Sequence, residues 1–504
     1  MNILSIYYLI FLAISVAVYY ALPKAVQWCW LLIISLIFFV TSCGWQMLPY
    51  LLFGILVTWF GAAAIAKTKD PKKKKTLLVI TLVLTLGELF FLKYLNFFPS
   101  TGNAIASLFG RGAPFETISI LAPMGVSYYT LAIIGYVLDV YWGTYPAQGN
   151  VAKHALFTCY FPQMVSGPVT RYGQMRKELF AGKEFDYTAV TFGAQRILWG
   201  YFKKLLIAEN LVGFVEMIFG DYHNYAGTDM IIATICYAFY IYADFSGCMD
   251  IVLGSSELFG VKLPENFQRP FFSLTIGEFW RRWHISLGVW FKEYLLYPLL
   301  KSDTWQTIHD TARKKWGRKA SKSIPTYLGL CVLWLSIGFW HQGSWLYLVA
   351  SGMIPGAYLM LSDALEPKLK AWGDRLHFNR GSLAYRLFAR VRTVLLVCTI
   401  FFVVNCGTVA NWIAALGHLF TNFGILAWFP TIWVRKGIFV VPGLALLVVL
   451  FVSIRQESGH SVRQELAQKP LAVRWFIYIA IILAVLLLSP DMTEGAGGFI
   501  YAQF

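Results

Sequence analysis

Charge is scarce in this chain. Of 504 residues, 13% are Asp, Glu, Lys or Arg and 58% are hydrophobic, whereas soluble domains carry about a quarter charged residues. That shortage excludes an ordinary soluble enzyme. Acidic residues are scarcer than basic ones, 26 against 42, giving a formal charge of +16. Also missing are a phosphate-cradling Gly-x-x-x-x-Gly-Lys-Ser/Thr and a His-Glu-x-x-His, the usual marks of ATP-driven transport and zinc proteolysis. The eight cysteines lie mostly inside apolar runs without paired metal spacing. Neither a disulfide framework nor a zinc site is indicated, and no metal is expected. No basic residue precedes Lys24, so the first apolar stretch lacks the positive start of a secretory signal and is expected to be retained.

Apolar runs are what the chain has in abundance. Many are roughly 17–23 residues long, the length a helix needs to cross about 30 Å of hydrocarbon. Stretches such as Leu444 to Val452 and Ile477 to Leu488 are apolar without alternation, which excludes a membrane β-barrel. The sequence therefore predicts an all-α polytopic membrane protein. Candidate spans fall near 3–22, 26–42, 46–66, 76–98, 120–142, 152–166, 188–219, 228–258, 326–342, 345–361, 391–405, 433–454 and 471–489. One membrane domain is expected over 1–504, with amino-terminal helices in 1–98, a core in 120–361 and carboxyl-terminal helices in 391–504.

The excess of basic charge concentrates in Lys67 to Lys75, Lys301 to Lys322 and Lys368 to Arg392. Short loops facing the cytoplasm and its anionic leaflet look like this, so the partner implied is a lipid bilayer rather than nucleic acid. With the first cluster inside, three spans counted backwards put the amino terminus outside and Lys24 on an inner loop. A cytoplasmic, multi-pass membrane location is expected.

Two segments depart from simple spans. Residues 152–166 contain Pro162 and Gln163 and run into Ser166-Gly167-Pro168, which breaks a helix at membrane depth and suggests a re-entrant element. Residues 276–299 place Phe279, Trp283, Leu287, Trp290 and Tyr294 on one side and Arg281, His284, Gly288 and Lys292 on another. That pattern reads as an amphipathic helix lying in the interface, where simple anchoring is the plain role.

Ionisable groups at membrane depth are costly and mark candidate sites. They include Asp139, Glu209, Asp244, Asp250, His284 and His341, with Ser246, Asn266 and Arg269 near the aqueous boundary. His341 follows the run Cys331 to Trp340 and sits between Gly338 and Gly343. An imidazole there can take a proton from a hydroxyl or accept an acyl group, or simply hydrogen-bond a neighbouring helix. His284 follows Glu278 and the cations Arg281 and Arg282, and the two arginines are able to hold a phosphate or carboxylate beside it. Asp244 and Asp250 are six residues apart and do not share one helical face, so a paired-carboxylate glycosidase site is not indicated. Buried ion pairs serve equally well for both acids.

Longer motifs then become readable. Asp244-Phe-Ser-Gly-Cys-Met-Asp250, Leu258-Phe-Gly260, Leu263-Pro-Glu-Asn-Phe-Gln-Arg-Pro270 and Glu278-Phe-Trp-Arg-Arg-Trp-His-Ile-Ser-Leu287 resemble the membrane-bound O-acyltransferases. The resemblance is to the bacterial branch containing the alginate O-acetyltransferase membrane component, peptidoglycan O-acetylation proteins and the lipoteichoic acid D-alanyl transferase. Phe91-Leu-Lys-Tyr-Leu-Asn-Phe97, Pro123-Met-Gly-Val-Ser-Tyr-Tyr-Thr130 and Phe161-Pro-Gln-Met-Val-Ser-Gly-Pro168 add to it. It extends from about residue 90 to the end. Trp340-His341-Gln342 stands where members commonly have Trp-His-Gly, Cys248 where a tyrosine is frequent, and Leu299-Leu300 where alginate-type members often have two glycines.

The resemblance implies a ring of roughly 11–13 transmembrane and re-entrant helices around a central tunnel. It makes His341 and His284 the catalytic residues and Trp340, Trp345, Trp283, Arg282, Asp244, Ser246 and Asn266 tunnel or substrate-binding residues. The implied donor is acetyl-CoA or another acyl thioester, with no permanently bound cofactor. Implied partners are an extracytoplasmic SGNH or esterase-like acetyltransferase and, in some members, an acyl carrier protein. The aromatic tail Phe499-Ile-Tyr-Ala-Gln-Phe504 is similar to that of polysaccharide O-acetylating members. The expected function is transfer of an acyl, in the first instance acetyl, group across the membrane to an extracytoplasmic polysaccharide. D-alanyl transfer to teichoic acid and non-enzymatic transport of a lipid or sugar are the alternatives.

Overall fold

A computed structural model describes residues 1–490 except 111, 113, 165, 378 and 426. The aromatic tail at 499–504 lies outside the described residues. The protein is 79% helical and, among the described residues, has no β-strand, only one antiparallel bridge between Phe267 and Trp283. Among the described residues, eight helices are long and apolar enough to cross a membrane, and Ile6–Ala21, Gln27–Cys43 and Val409–Thr421 are shorter apolar helices. In Leu471–Leu488 no residue is buried. Eighteen almost wholly apolar residues with no buried position among them need lipid around them, and the chain is a multi-pass membrane protein.

The chain divides into two compact units. The first comprises residues 1–197 and 249–264. Here helix Leu48–Lys67 packs on Pro71–Leu89 and Val126–Trp142. Val126–Trp142 is apolar all round and almost wholly buried, as a helix inside a bundle must be. It begins after Gly125, whose φ of 74° and closeness to the Met164 carbonyl leave no room for a side chain. The expected re-entrant element at 152–166 is two short helices, Val151–Cys159 and Phe161–Met164. The break falls before Pro162, which cannot continue a helix from upstream. Asp250 is paired with Arg196 at 2.9 Å, and Arg196 also reaches Glu257 at 2.9 Å, so this acid is half of a structural ion pair.

The second unit comprises residues 198–248 and, among the described residues, 265–490. Three features of it differ from what the sequence predicts. The expected span at 188–219 is helical, but Lys204–Ala208 forms a wide π-helical turn between Tyr187–Lys203 and Glu209–Gly220. The basic stretch at 301–325, expected as a loop, is the first half of helix Asp303–Gln342, interrupted only at Gly317 (φ 83°, ψ −175°). Hydropathy reports membrane depth, and a run rich in Lys and Arg can form a helix in water. The expected single amphipathic helix over 276–299 is broken into Ile276–Arg282 and Ile285–Phe291, with a π-helical turn at Lys292–Leu296. The break falls at His284, whose φ of 46° and ψ of 51° are left-handed.

Candidate functional site

His341 is the penultimate residue of helix Asp303–Gln342. The helix stops because Gly343 takes a left-handed φ of 60° and its N–H bonds the Phe339 carbonyl at 2.8 Å, the usual way a glycine ends a helix. Ser344 then caps the next turn by accepting from the Tyr347 N–H. The returning chain packs against its own helix with almost no clearance. A Cβ on Gly338 would lie 2.7 Å from the Tyr347 carbonyl oxygen and 2.9 Å from the Gly352 nitrogen. The two glycines that flank His341 thus have distinct jobs, one turning the chain and one admitting it.

His284 reaches the same place from the break between its two helices. The chain runs antiparallel to itself there, with Gln268 N–H bonding Arg282 O at 2.9 Å and Ile285 N–H bonding Asn266 O at 3.0 Å. Asn266 is completely buried, and its side-chain oxygen accepts from Ser286 N–H at 3.0 Å and from the Ser286 hydroxyl at 2.9 Å. A backbone N–H can only donate, which identifies that atom as the oxygen. His284 Nδ1 lies 3.3 Å from it. Facing an acceptor, Nδ1 carries the proton in this contact, so in a neutral ring Nε2 carries the lone pair.

The two imidazoles come together. Their ring centroids are 6.3 Å apart at 49°, and Trp340 flanks both, 6.3 Å from His284 and 5.3 Å from His341. Both histidines and Trp340 are buried. Phe245 meets the His284 ring edge-on, 4.8 Å away at 87°, a favourable aromatic geometry that fixes the ring plane. Tyr347 lies 6.3 Å from His341. Trp283 stacks on Phe279 at 5.5 Å and meets the Phe267 edge at 5.0 Å, so it walls the turn that carries His284.

The other expected site residues fall in different roles. Asp244 and Ser246 flank Phe245 on helix Gly227–Glu257 and are held by two lysines. Lys204 bonds Asp244 and, at 2.6 Å, Glu209, while Lys203 Nζ donates to Ser246 Oγ at 2.9 Å. The helices approach closely because glycines face one another: a Cβ on Gly247 would lie 2.9 Å from the Gly200 carbonyl oxygen. Arg282 lies on the far side of the turn in a fork with Glu457 and Glu278. Trp345 is half-exposed and contrasts with buried Trp340.

Lys203, Lys204 and Glu457 were not singled out in the sequence. The two lysines sit inside the expected span at 188–219, where a cation is as costly as an acid such as Glu209 in the same span. That cost is the cue. Glu457 has no such cue, since it closes a span at the aqueous boundary.

Comparison with known proteins follows the same lines. Residues 149–312 match the model of the MBOAT, membrane-bound O-acyltransferase family, a stretch that contains His284 and stops short of His341. A probable alginate O-acetylase AlgI of Azotobacter vinelandii is 30% identical over 369 residues, covering 72% of this chain and 68% of that protein. A peptidoglycan O-acetyltransferase of Helicobacter pylori is 29% identical over 396 residues, covering 71% and 70%. A teichoic acid D-alanyltransferase of Bacillus subtilis is 26% identical over 292 residues, covering 58% and 69%.

Proposed function

The chain belongs to the membrane-bound O-acyltransferase family and is an O-acyltransferase, and on that premise we propose that it carries acetyl groups from a cytoplasmic thioester to an extracytoplasmic polysaccharide. The observation that carries this reading is the pairing of two buried imidazoles, 6.3 Å apart between centroids, one of them held in a single orientation by Asn266 and Phe245. A positioned nitrogen base with a second beside it suits transfer from a thiol to a hydroxyl, in which a proton leaves the attacking oxygen and returns to the departing sulfur.

In the reaction, the acceptor oxygen attacks the thioester carbonyl while its proton passes to His341 as general base. A C–O bond forms, the C–S bond breaks, and the proton goes on to the departing thiolate, leaving an ester and a thiol. His284 orients the donor or relays that proton through Nε2. Trp340 and Trp283 shape the approach, and Trp345, the half-exposed ring, stands at its rim. Asp244 and Ser246 act through Phe245 rather than on substrate.

Acetyl is preferred to D-alanyl because the relatives named as O-acetylating are 29–30% identical and the D-alanyltransferase 26%. The donor is acetyl-CoA or a carrier-bound thioester entering from the cytoplasm, where the Arg313, Lys314, Lys315, Arg318 and Lys319 cluster attracts phosphates through its field. An extracytoplasmic esterase-like protein takes the acyl group to the polymer. The basic stretch at Lys67 to Lys75 faces the cytoplasm and the amino terminus lies outside, in the cytoplasmic membrane.

The test uses the full chain in sealed vesicles, with radiolabelled acetyl-CoA or a charged carrier protein on one side and acceptor plus esterase-like protein on the other. His341→Ala is expected to lower transfer about 10²–10⁴-fold, the usual worth of a positioned base. A folded His341→Ala protein working at the wild-type rate removes the mechanism. Label delivered only from the charged carrier replaces acetyl-CoA as donor.

A further inference from the structure

Three non-glycine residues among those described have left-handed φ, and two of them, Arg269 (51°) and His284 (46°), lie in one short antiparallel pairing. Side chains with a Cβ avoid this conformation, and such residues persist only where the surrounding structure holds them. The pairing itself supplies a few backbone bonds and the Phe267–Trp283 bridge. What closes its open end comes from far along the chain.

Glu457 is the last residue of helix Lys436–Glu457. Its Oε2 accepts from Arg269 Nε at 2.7 Å and from Arg282 Nη1 at 3.0 Å, and its Oε1 accepts from Arg282 Nη2 at 2.9 Å. Arg269 stands three residues after Asn266, and Arg282 two residues before His284. One carboxylate therefore ties together the two chains whose other end sets the imidazole. The fork on Arg282 is bidentate, so it constrains direction as well as distance.

We infer that Glu457 is a positioning residue for His284, holding the turn in the register that presents the imidazole to His341. The inference rests on the acyl-transfer reading for its kinetic consequence, but not for its geometric one. The Glu457, Arg269 and Arg282 side chains are all between one fifth and one third exposed. Solvent screens charges this exposed, and Arg282 keeps Glu278 as a partner at 2.7 Å when Glu457 is removed, so the variants should fold.

The experiment compares wild type, Glu457→Ala, Arg269→Ala and the double variant as full-length protein in vesicles. Donor KM, kcat and the unfolding midpoint are measured, together with the rate at which diethyl pyrocarbonate modifies His284, read by mass spectrometry. Glu457→Ala is expected to lower kcat about tenfold, within the range that a small misplacement of a catalytic group costs, with donor KM and midpoint unchanged. His284 modification should speed up severalfold, and adding Arg269→Ala to Glu457→Ala should cost little more, because both act through one contact. An unchanged kcat with unchanged modification overturns the inference. So does a rise in KM alone, which would make the fork a donor-binding element, and so does a fall in kcat matched by a fall in midpoint. If wild type transfers no acyl group, the functional reading fails and the modification rate alone decides the role of Glu457.

Discussion

Each of the two units buries a histidine beside a tyrosine or tryptophan, yet the two are built differently. His154, in the first unit, is fully buried within regular helix Val151–Cys159. Its Nε2 lies 2.9 Å from Thr58 Oγ1, and that hydroxyl already donates to the Gly54 carbonyl at 2.7 Å. The hydroxyl proton is thus committed, so Nε2–H donates and the ring joins two helices. His284, in the second unit, has the opposite tautomer, a strained backbone and a second imidazole for a neighbour. Burial alone does not set the two histidines apart; backbone distortion and convergence do, and they make His284 the candidate for chemistry.

The sharpest way to break this comparison is to remove each ring in turn. His284→Ala is expected to lower acyl transfer about 10²–10⁴-fold, while His154→Ala should leave kcat close to wild type and lower the unfolding midpoint. Rates from the full chain in vesicles, with midpoints in detergent, decide it. A folded His154→Ala protein that has lost transfer would mean that the first unit also holds chemistry.

A second test sets the two buried ion pairs side by side. The Lys204 side chain is 2% exposed and its partner Asp244 0%, against 11% and 15% for Arg196 and Asp250. Removing one partner of a desolvated pair leaves an uncompensated charge, so Lys204→Met should cost about 3–5 kcal/mol. Arg196→Met should cost less, since water reaches its partner. Equal losses in denaturant titrations would remove the distinction. Adding both Asp244→Leu and Glu209→Gln to Lys204→Met should recover much of the loss, because no carboxylate of the cluster is then left without its cation.

The smallest expected effect concerns backbone clearance. Gly338→Ala must force a Cβ against backbone atoms on the returning chain and should cost about 1–3 kcal/mol. Gly54→Ala, in the first unit, meets the Glu88 carboxylate at 3.3 Å and an Ile133 methyl at 3.4 Å, ends of side chains that can yield. Its cost should be well under that of Gly338→Ala by thermal unfolding. The reverse order would mean that the turn around His341 is more pliant than its glycines imply.

Much of this architecture is legible in hydropathy. The expected spans at 46–66 and 471–489 coincide closely with Leu48–Lys67 and Leu471–Leu488, because lipid imposes length and apolarity directly on the residues. The candidate site was legible in part. Asn266 and both histidines converge, whereas Asp244 and Ser246 are held by Lys204 and Lys203. The break at His284 was not legible, since 276–299 has a sound amphipathic pattern and only contacts from Asn266 and Glu457 override it. The same holds for Lys203 and Lys204, which hydropathy averages into an apolar run. Their partners lie some 40 residues away on another helix.

Lys204 and Glu209 pair at 2.6 Å although they are five residues apart, a spacing that a regular helix sends to nearly opposite sides. The wide turn at Lys204–Ala208 bonds each residue to the fifth one on and so stacks them. Deleting a single residue inside that turn would restore a regular α-helix and leave the lysine and the glutamate four residues apart, a spacing that still places them on one face. The wide turn at Lys204–Ala208 is therefore a one-residue insertion that the ion pair tolerates rather than requires. A homologue that has lost one residue here is expected to keep the pair as an ordinary i, i+4 contact.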